Sequence, residues 1–273
     1  MAAEGTDELR GVAVAVARAV GELAQDMRSA AVTQTGTKSS ATDVVTAADT
    51  EAERLARDLL ARHRPGEPVL GEEEGGGDAP PGTVCWVVDP IDGTVNYLYG
   101  LPWYAVSVAA QRDGVSLAGA VVHPPSGRCW SAALGAGADC DGTPLRVTAV
   151  TRLDQALVAT GFSYRAERRA RQAAMVAELL PRVRDVRRAG AAALDLCSVA
   201  SGWLDGYAEH GLHRWDWAAG ALVAAEAGAV VRLPVGADGG TDDGLGADAV
   251  LVAAPGIADD LAAVLRACGA AGV

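Results

Sequence analysis

Residues 86–103 read WVVDPIDGTVNYLYGLPW. The stretch is entered through Val84 and Cys85, so an apolar run rich in valine precedes Asp89, the composition of a buried strand. Pro90 lacks a backbone N–H and has a fixed φ, which predicts that the strand stops there and the chain turns. Asp89 then sits at the carboxyl end of a strand, where open α/β sheets leave a crevice for ligands. Asp92 follows, and Gly93-Thr94 predicts a short helix start whose backbone amides suit a phosphate or another anion. Two fixed carboxylates beside an anion cradle repel the anion unless a hard cation lies between them. The local chemistry is that of a divalent metal and a phosphate.

Composition sets the bounds. A chain of 273 residues accommodates one large domain or two smaller halves, and 50% hydrophobic with 21% charged residues is a globular balance. The net charge of −12 argues against nucleic-acid backbone as a partner and weakens attraction to anionic membranes. A negative protein acting on a negative ester needs local cations, which again points to metal. The five cysteines show no CxxC spacing and read as small buried hydrophobes in a reducing compartment. MAAEGTDELR has no signal-peptide pattern, and no uncharged apolar run reaches the ~18 residues needed to span a bilayer. The expected location is the cytoplasm.

Outward from the central stretch, residues 6–29 predict an amphipathic helix with Val12, Val16, Val20, Leu23 and Met27 on one face. A Ser/Thr/Gly-rich connector contains Asp43, which reads as a turn residue. A second helix is predicted from Thr46 to about Arg62, with Ala52, Leu55, Ala56 and Leu59 inward. Thr46 and Asp49 resemble a capping box, so Asp49 reads either as a cap or as chemistry. Residues 64–82 read as loop around Val69-Leu70. The run Glu72–Glu74 there has the pattern of a solvated face, yet stands just before the Asp89 strand.

Beyond the central stretch, Tyr104–Gln111 and Val115–His123 predict antiparallel strands joined at Asp113-Gly114, with further turns at Ser126-Gly127 and Asp141-Gly142. Residues 84–150 thus read as a sheet meander on the first two helices. The second half alternates: strands at Ala156–Thr160, Asp185–Arg188, Leu204–Glu209 and Val250–Ala253, helices at Arg165–Leu180, Ala191–Ala200, Trp217–Ala227 and Ile257–Ala267. That order predicts a mostly wound α/β layer. Residues 235–248, rich in Gly and Asp, read as a surface loop without chemistry.

Five carboxylates carry the candidate chemistry: Asp49, Glu72, Asp89, Asp92 and Asp216. Asp216 directly precedes an Ala/Leu/Val helical pattern, so it reads as an N-cap that still turns an oxygen toward a metal. His63, His123, His210 and His213 are scattered, and an oxygen-only donor set suits Mg2+ rather than zinc.

WVVDPIDGTVNY resembles the DPIDGT motif of the inositol monophosphatase family, LGEEEG its upstream GEE motif and WDWAAGALVAAEAGAVV its downstream WDxAAG…EAG motif. TDVVTAAD and RRAGAAALDLCSVASGWLDGYAE align as well, so the likeness runs from about Lys38 to Val231. The resemblance implies a layered αβαβα sandwich of the inositol monophosphatase and fructose-1,6-bisphosphatase type. An N-terminal α+β half, 1–150, and a C-terminal α/β half, 151–273, would form one catalytic unit with the site between them. It implies Glu72, Asp89 and the Ile91 carbonyl on one Mg2+, and Asp89, Asp92 and Asp216 on a second. Glu72 would reach a weaker third through water, with Glu73 orienting that shell. Thr94 with Asp49 would position and deprotonate the attacking water, Gly93 and Thr94 amides would hold the phosphate, and Ala192 and Glu209 would face the alcohol. Val95, Tyr97 and Arg214 depart from the usual Thr, Phe and Pro, which bears on substrate choice and on no ligand.

The expected function is Mg2+-dependent hydrolysis of myo-inositol monophosphate or a similar polyol phosphate, with homodimerisation and lithium sensitivity implied by the family. The alternatives are a phosphatase for fructose 1,6-bisphosphate, histidinol phosphate or an adenosine bisphosphate, and a non-catalytic regulatory binding protein on the same fold. Magnitudes favour metal: taking the pKa of water from ~15.7 to ~7 is worth up to ~12 kcal/mol toward hydroxide. A positioned base alone supplies roughly 3–5 kcal/mol.

Overall fold

The computed structural model describes residues 2–31, 35–37, 44–77, 79–236 and 243–273, with side chains described for 5–28 and from 47 onward within those ranges. Asp43, the Thr46 side chain and residues 237–242 lie outside them. Helix α1 (Ala2–Ala31) buries Leu9, Ala13, Val16, Ala17, Val20 and Ala24. This is a smaller-residue stripe than the valine face expected, turned so that the helix seats closely on a sheet. Strands β1 (Thr35–Thr37) and β2 (Val44–Thr46) pair antiparallel ahead of α2 (Ala47–His63). The buried face of α2 runs through Ala48, Ala52, Ala56 and Leu60, with Leu55 and Leu59 only partly covered.

A seven-stranded sheet follows in chain order, from β3 (Val69–Gly71) and β4 (Val84–Asp92) through β5 (Ala105–Arg112), β6 (Val115–His123), β7 (Arg128–Ala133) and β8 (Gly137–Cys140) to β9 (Thr143–Pro144). Only β3 and β4 run parallel; the rest is the expected meander. The β5–β6 turn uses Asp113 and Gly114 at φ +51° and +87°, the primed-turn geometry that matches strand twist. Between β4 and β5 lies the short helix α3 (Thr94–Leu98).

One strand corrects the sequence reading. β4 does not stop at Pro90; it runs on to Asp92, with all nine residues buried. Asp89 pairs with Ser107 and Asp92 with Ala105, so three steps on β4 face two on β5. A bulge takes up the extra residue, and a bulge is a place where a strand tolerates proline.

The second sheet has the order β11-β10-β12-β14-β13, from β10 (Leu157–Thr160), β11 (Asp185–Arg187), β12 (Gly206–His210), β13 (Val230–Arg232) and β14 (Ala249–Ala253). It is mixed rather than uniformly wound: β10 runs parallel to β11 and β12, while β14 is antiparallel to β12 and β13. The sequence reading did not foresee β13. The remaining helices are α4 (Ala166–Leu179), α5 (Ala192–Ala200), α6 (Arg214–Glu226) and α7 (Ala258–Ala267). α6 begins three residues before the expected Trp217, which places Asp216 inside its first turn.

Alternating strand residues reveal the layers. Trp86 and Val88 pack into the core beneath α1 and α2, while Val87 points into a second core shared with α5 and α6. Tyr207, Val250 and Val252 enter that same middle core from the other sheet, and Ala208, Leu251 and Ala253 face α4 and α7. Period-two alternation thus builds an αβαβα sandwich with α5 and α6 in its central layer. Among the described residues, no helix is long and apolar enough to cross a membrane.

Candidate active site

Asp89 occupies the buried bulge of β4, where its Oδ1 accepts the Ile91 N–H at 3.0 Å. Asp92 ends the strand and turns toward α5. Its Oδ1 and Oδ2 accept the first helical amides, Ala192 N–H at 3.2 Å and Ala193 N–H at 2.7 Å. A carboxylate on the amides that a helix leaves unpaired satisfies both partners. Gly93 follows at φ +89°; a Cβ there would lie 3.1 Å from the Gly190 carbonyl oxygen and 3.2 Å from the Ala191 Cβ. Only glycine lets the chain turn this close to the α5 entry. Asn96 donates to the carbonyls of Trp103 at 2.8 Å and Ala189 at 2.9 Å, binding α3 to the same entry.

Asp216 arrives from α6. Ser107, the β5 partner of Asp89, donates to the Trp215 carbonyl at 3.1 Å, and Ser116 on β6 donates to the Ala218 carbonyl at 2.8 Å. Arg214 donates through Nε to Gln111 on β5, so this departure from the family pattern helps dock the helix. Asp216 Oδ2 accepts the His213 N–H at 2.6 Å, which makes it an N3 capping partner rather than the N-cap expected. Oxygens of Asp89, Asp92 and Asp216 consequently lie within 4.8 Å of one another.

Glu72, on the turn after β3, joins them: its N–H donates to the Val88 carbonyl at 3.2 Å, and it lines the same cavity as Asp89, whose carboxyl feels its charge. Glu72 and Glu73 are half-buried and only Glu74 is exposed, so the acidic run is not a solvated face. Burial first, then the charge of Glu72, raises the carboxyls of Asp89 and Asp216 well above the ordinary range. Burial raises Asp92 to about 7 against the opposing pull of the Ala193 amide. Crowded buried carboxylates held at this cost fit a hard dication with oxygen ligands.

Thr94 sits beside the cluster with Asp49 Oδ1 and the Ile91 carbonyl oxygen each 3.1 Å from its hydroxyl, and Asp49 is fully buried on the first turn of α2. Across the cavity, Tyr207 donates to Glu209 Oε2 at 2.6 Å. Burial raises the Glu209 carboxyl, while the Tyr207 hydroxyl and Arg188 pull it down. A single cavity of about 740 Å³ brings Glu72, Asp89, Ile91, Asp92, Gly93, Thr94, Ala192, Glu209 and Asp216 together. Asp49 joins through Thr94.

The sequence reading missed several residues on that cavity wall. Arg165, Arg168 and Arg188 line it, and Arg168 pairs with Asp248 at 2.6 Å, so the segment read as free of chemistry contributes a wall residue. Arg165 and Arg168 lie outside the motifs and carry no local signal, while Arg188 lies inside the RRAGAAALDLC stretch, whose pattern assigned it no role. Tyr97, where the family has Phe, donates its hydroxyl to the Ala24 carbonyl at 2.6 Å and serves the α1 core.

A model of the inositol monophosphatase family matches residues 6–270. The chain belongs to this family. It is similar to an inositol-1-monophosphatase of Mycobacterium leprae, 58% identical over 240 residues that cover 84% of this chain and 80% of that one. The solved structure of Mycobacterium tuberculosis SuhB superposes with a TM-score of 0.81 at 45% identity, covering 96% of this chain and 97% of that one. An Escherichia coli relative named Nus factor SuhB is 37% identical over 222 residues, 81% of this chain and 83% of its own length. Membership of the family makes the chain a phosphoric monoester hydrolase of the inositol-monophosphatase type.

Proposed function

We propose that the chain is a Mg2+-dependent phosphomonoesterase that hydrolyses myo-inositol monophosphate, or a closely similar polyol phosphate, to the alcohol and inorganic phosphate. The observation that carries the reading is the convergence of Asp89, Asp92 and Asp216 on one point beside the Thr94–Asp49 pair. Asp89, Asp92, Asp216, Glu72 and the Ile91 carbonyl would hold two Mg2+ ions, with Glu72 reaching a third through water. When bound, the metal supplies Lewis acidity, lowering the pKa of water and neutralising phosphate charge. Asp49 takes up the proton that Thr94 Oγ1 relays from the attacking water, its acceptor oxygen already aligned on that hydroxyl. The Gly93 and Thr94 amides hold the phosphate, and Glu209, steadied by Tyr207, accepts hydrogen bonds from the alcohol's hydroxyls beside Ala192.

The chain acts as one catalytic unit, with most ligands from residues 1–150 and Asp216 from residues 151–273. The family likeness further suggests a cytoplasmic homodimer inhibited by lithium. The relative named Nus factor SuhB favours a second reading, a binding role on the same fold. Phosphate release from a panel of esters, with and without Mg2+, tests the choice. Release from myo-inositol monophosphate that stops in chelator and in Asp89→Asn supports the enzyme reading. No release from any ester favours the binding role, and full activity in chelator or in the variant removes metal or Asp89 from the mechanism.

A further inference from the structure

The turn that carries Glu72 is built on a carboxylate that local sequence gives no reason to notice. Glu53 stands one helical turn after Asp49, and in EAERLAR it has the look of a solvated helix residue. Its side chain is instead fully buried. Oε2 accepts the Glu73 N–H at 2.7 Å and Oε1 accepts the Glu74 N–H at 3.0 Å. Arg57, the next residue along that face, pairs with Oε1 through Nε at 2.9 Å and Nη2 at 2.7 Å. Its guanidinium also donates to the carbonyls of Val69 at 3.2 Å and Gly75 at 2.5 Å.

One ion pair on α2 therefore grips the turn at both its tip amides and its base carbonyls. Gly71 completes the fit, because a Cβ there would lie 2.2 Å from Glu53 Oε1. Gly71 and Gly75 already close the turn through a backbone hydrogen bond of 3.0 Å. Closure alone has no need of a buried charge, which is costly unless paired and hydrogen-bonded. The added constraint is on position. With Glu73 and Glu74 amides fixed from α2 and the Glu72 amide fixed on Val88, Glu72 is held on the wall of the cavity that Asp89 also lines.

We propose that Glu53, with Arg57, is a positioning pair for the metal site: it sets Mg2+ affinity by placing Glu72 and never touches the ion. The proposal rests on the metal reading above and adds to it a residue outside the ligand set. Groups that orient metal ligands in this way change affinity by about 10–100-fold when altered. Glu53→Gln keeps one acceptor but turns an NH2 group toward an amide that also donates.

The test is calorimetric titration of MgCl2 into the substrate-free protein, with circular dichroism and metal-free melting as folding controls. Glu53→Gln is expected to bind Mg2+ about 10–100-fold more weakly than wild type while remaining folded. Its catalytic deficit should lie in the Mg2+ concentration for half-activation and shrink at saturating Mg2+. A lower metal-free Tm with unchanged Mg2+ affinity marks a merely structural carboxylate and overturns the proposal. Should Glu53→Gln not fold, Arg57→Gln decides, because Arg57 is partly exposed: weaker Mg2+ binding supports the proposal and wild-type affinity overturns it. A wild-type protein that binds no Mg2+ overturns the metal reading and this inference together, whereas equal affinities overturn this inference alone.

Discussion

Protons and Mg2+ should compete for the carboxylate cluster, and the competition should be visible in thermal stability. Burial lifts the folded Asp92 carboxyl from 3.8 to about 7. The folded value lies above the unfolded one, so protonated Asp92 is the form that the metal-free fold favours. Its contribution is fully present below the unfolded value and is lost as pH rises through about 7. At 1.36 kcal/mol per pH unit the whole effect is about 4 kcal/mol, of which about 3 kcal/mol is lost between pH 5 and 8. Asp89 and Asp216 are raised in the same direction, first by burial and then by Glu72.

A chain of this size shifts its Tm by about 2 °C per kcal/mol. The Tm difference between Mg2+-loaded and EDTA-treated protein should therefore grow by about 6 °C from pH 5 to pH 8. Taking the difference at each pH cancels groups that titrate alike in both samples. Asp92→Asn removes one of the three titrating carboxyls and one ligand, so both the Tm gain from Mg2+ and its growth with pH should be smaller than in wild type. A Tm difference that is equal at the two pH values, or larger at pH 5, would refute the electrostatic account of the cluster.

Thr94→Ala removes the hydroxyl between Asp49 and the Ile91 carbonyl, and kcat should fall about 10²–10⁴-fold with Mg2+ affinity retained; an equal loss of Mg2+ binding would place Thr94 among the ligand supports instead. Tyr207→Phe deletes the hydroxyl donated to Glu209 and should raise KM for myo-inositol monophosphate about fivefold, the equivalent of ~1 kcal/mol. An aryl phosphate lacking hydroxyl groups should be unaffected, and parallel losses on both substrates would count against Glu209 as the alcohol contact. Gly93→Ala should destabilise the protein by about 1–3 kcal/mol in chemical denaturation, since it puts a side chain at φ +89° against Gly190; wild-type stability and activity would show that the approach is slack.

Much of the fold could be read from local pattern, and its failures are specific. The β5–β6 hairpin was legible because Asp113-Gly114 dictates its own turn, and the helices were legible from their apolar spacing. Pro90 misled because its effect depends on the partner strand: a bulge opposite Ser107 lets β4 continue. Asp216 was found as chemistry, but its helix starts earlier because docking by Arg214, Ser107 and Ser116 outweighs the local apolar pattern. Glu53 was invisible, since a buried and a solvated glutamate look alike on a helix.

By itself the sequence determined the residue types of the site: an acidic pair flanking a proline, a glycine-threonine helix start, and two distant acidic motifs. These are short-range signals, carried by φ restriction, hydrogen-bonding capacity and hydrophobic period. Only tertiary structure decided which oxygens meet. Ser107 on β5 sits beside Asp89 and holds the first turn of α6, and the α5 amides take Asp92, so carboxylates more than a hundred residues apart share one cavity. The distance between them is set by the packing of two helices between two sheets, which no local stretch of chain encodes.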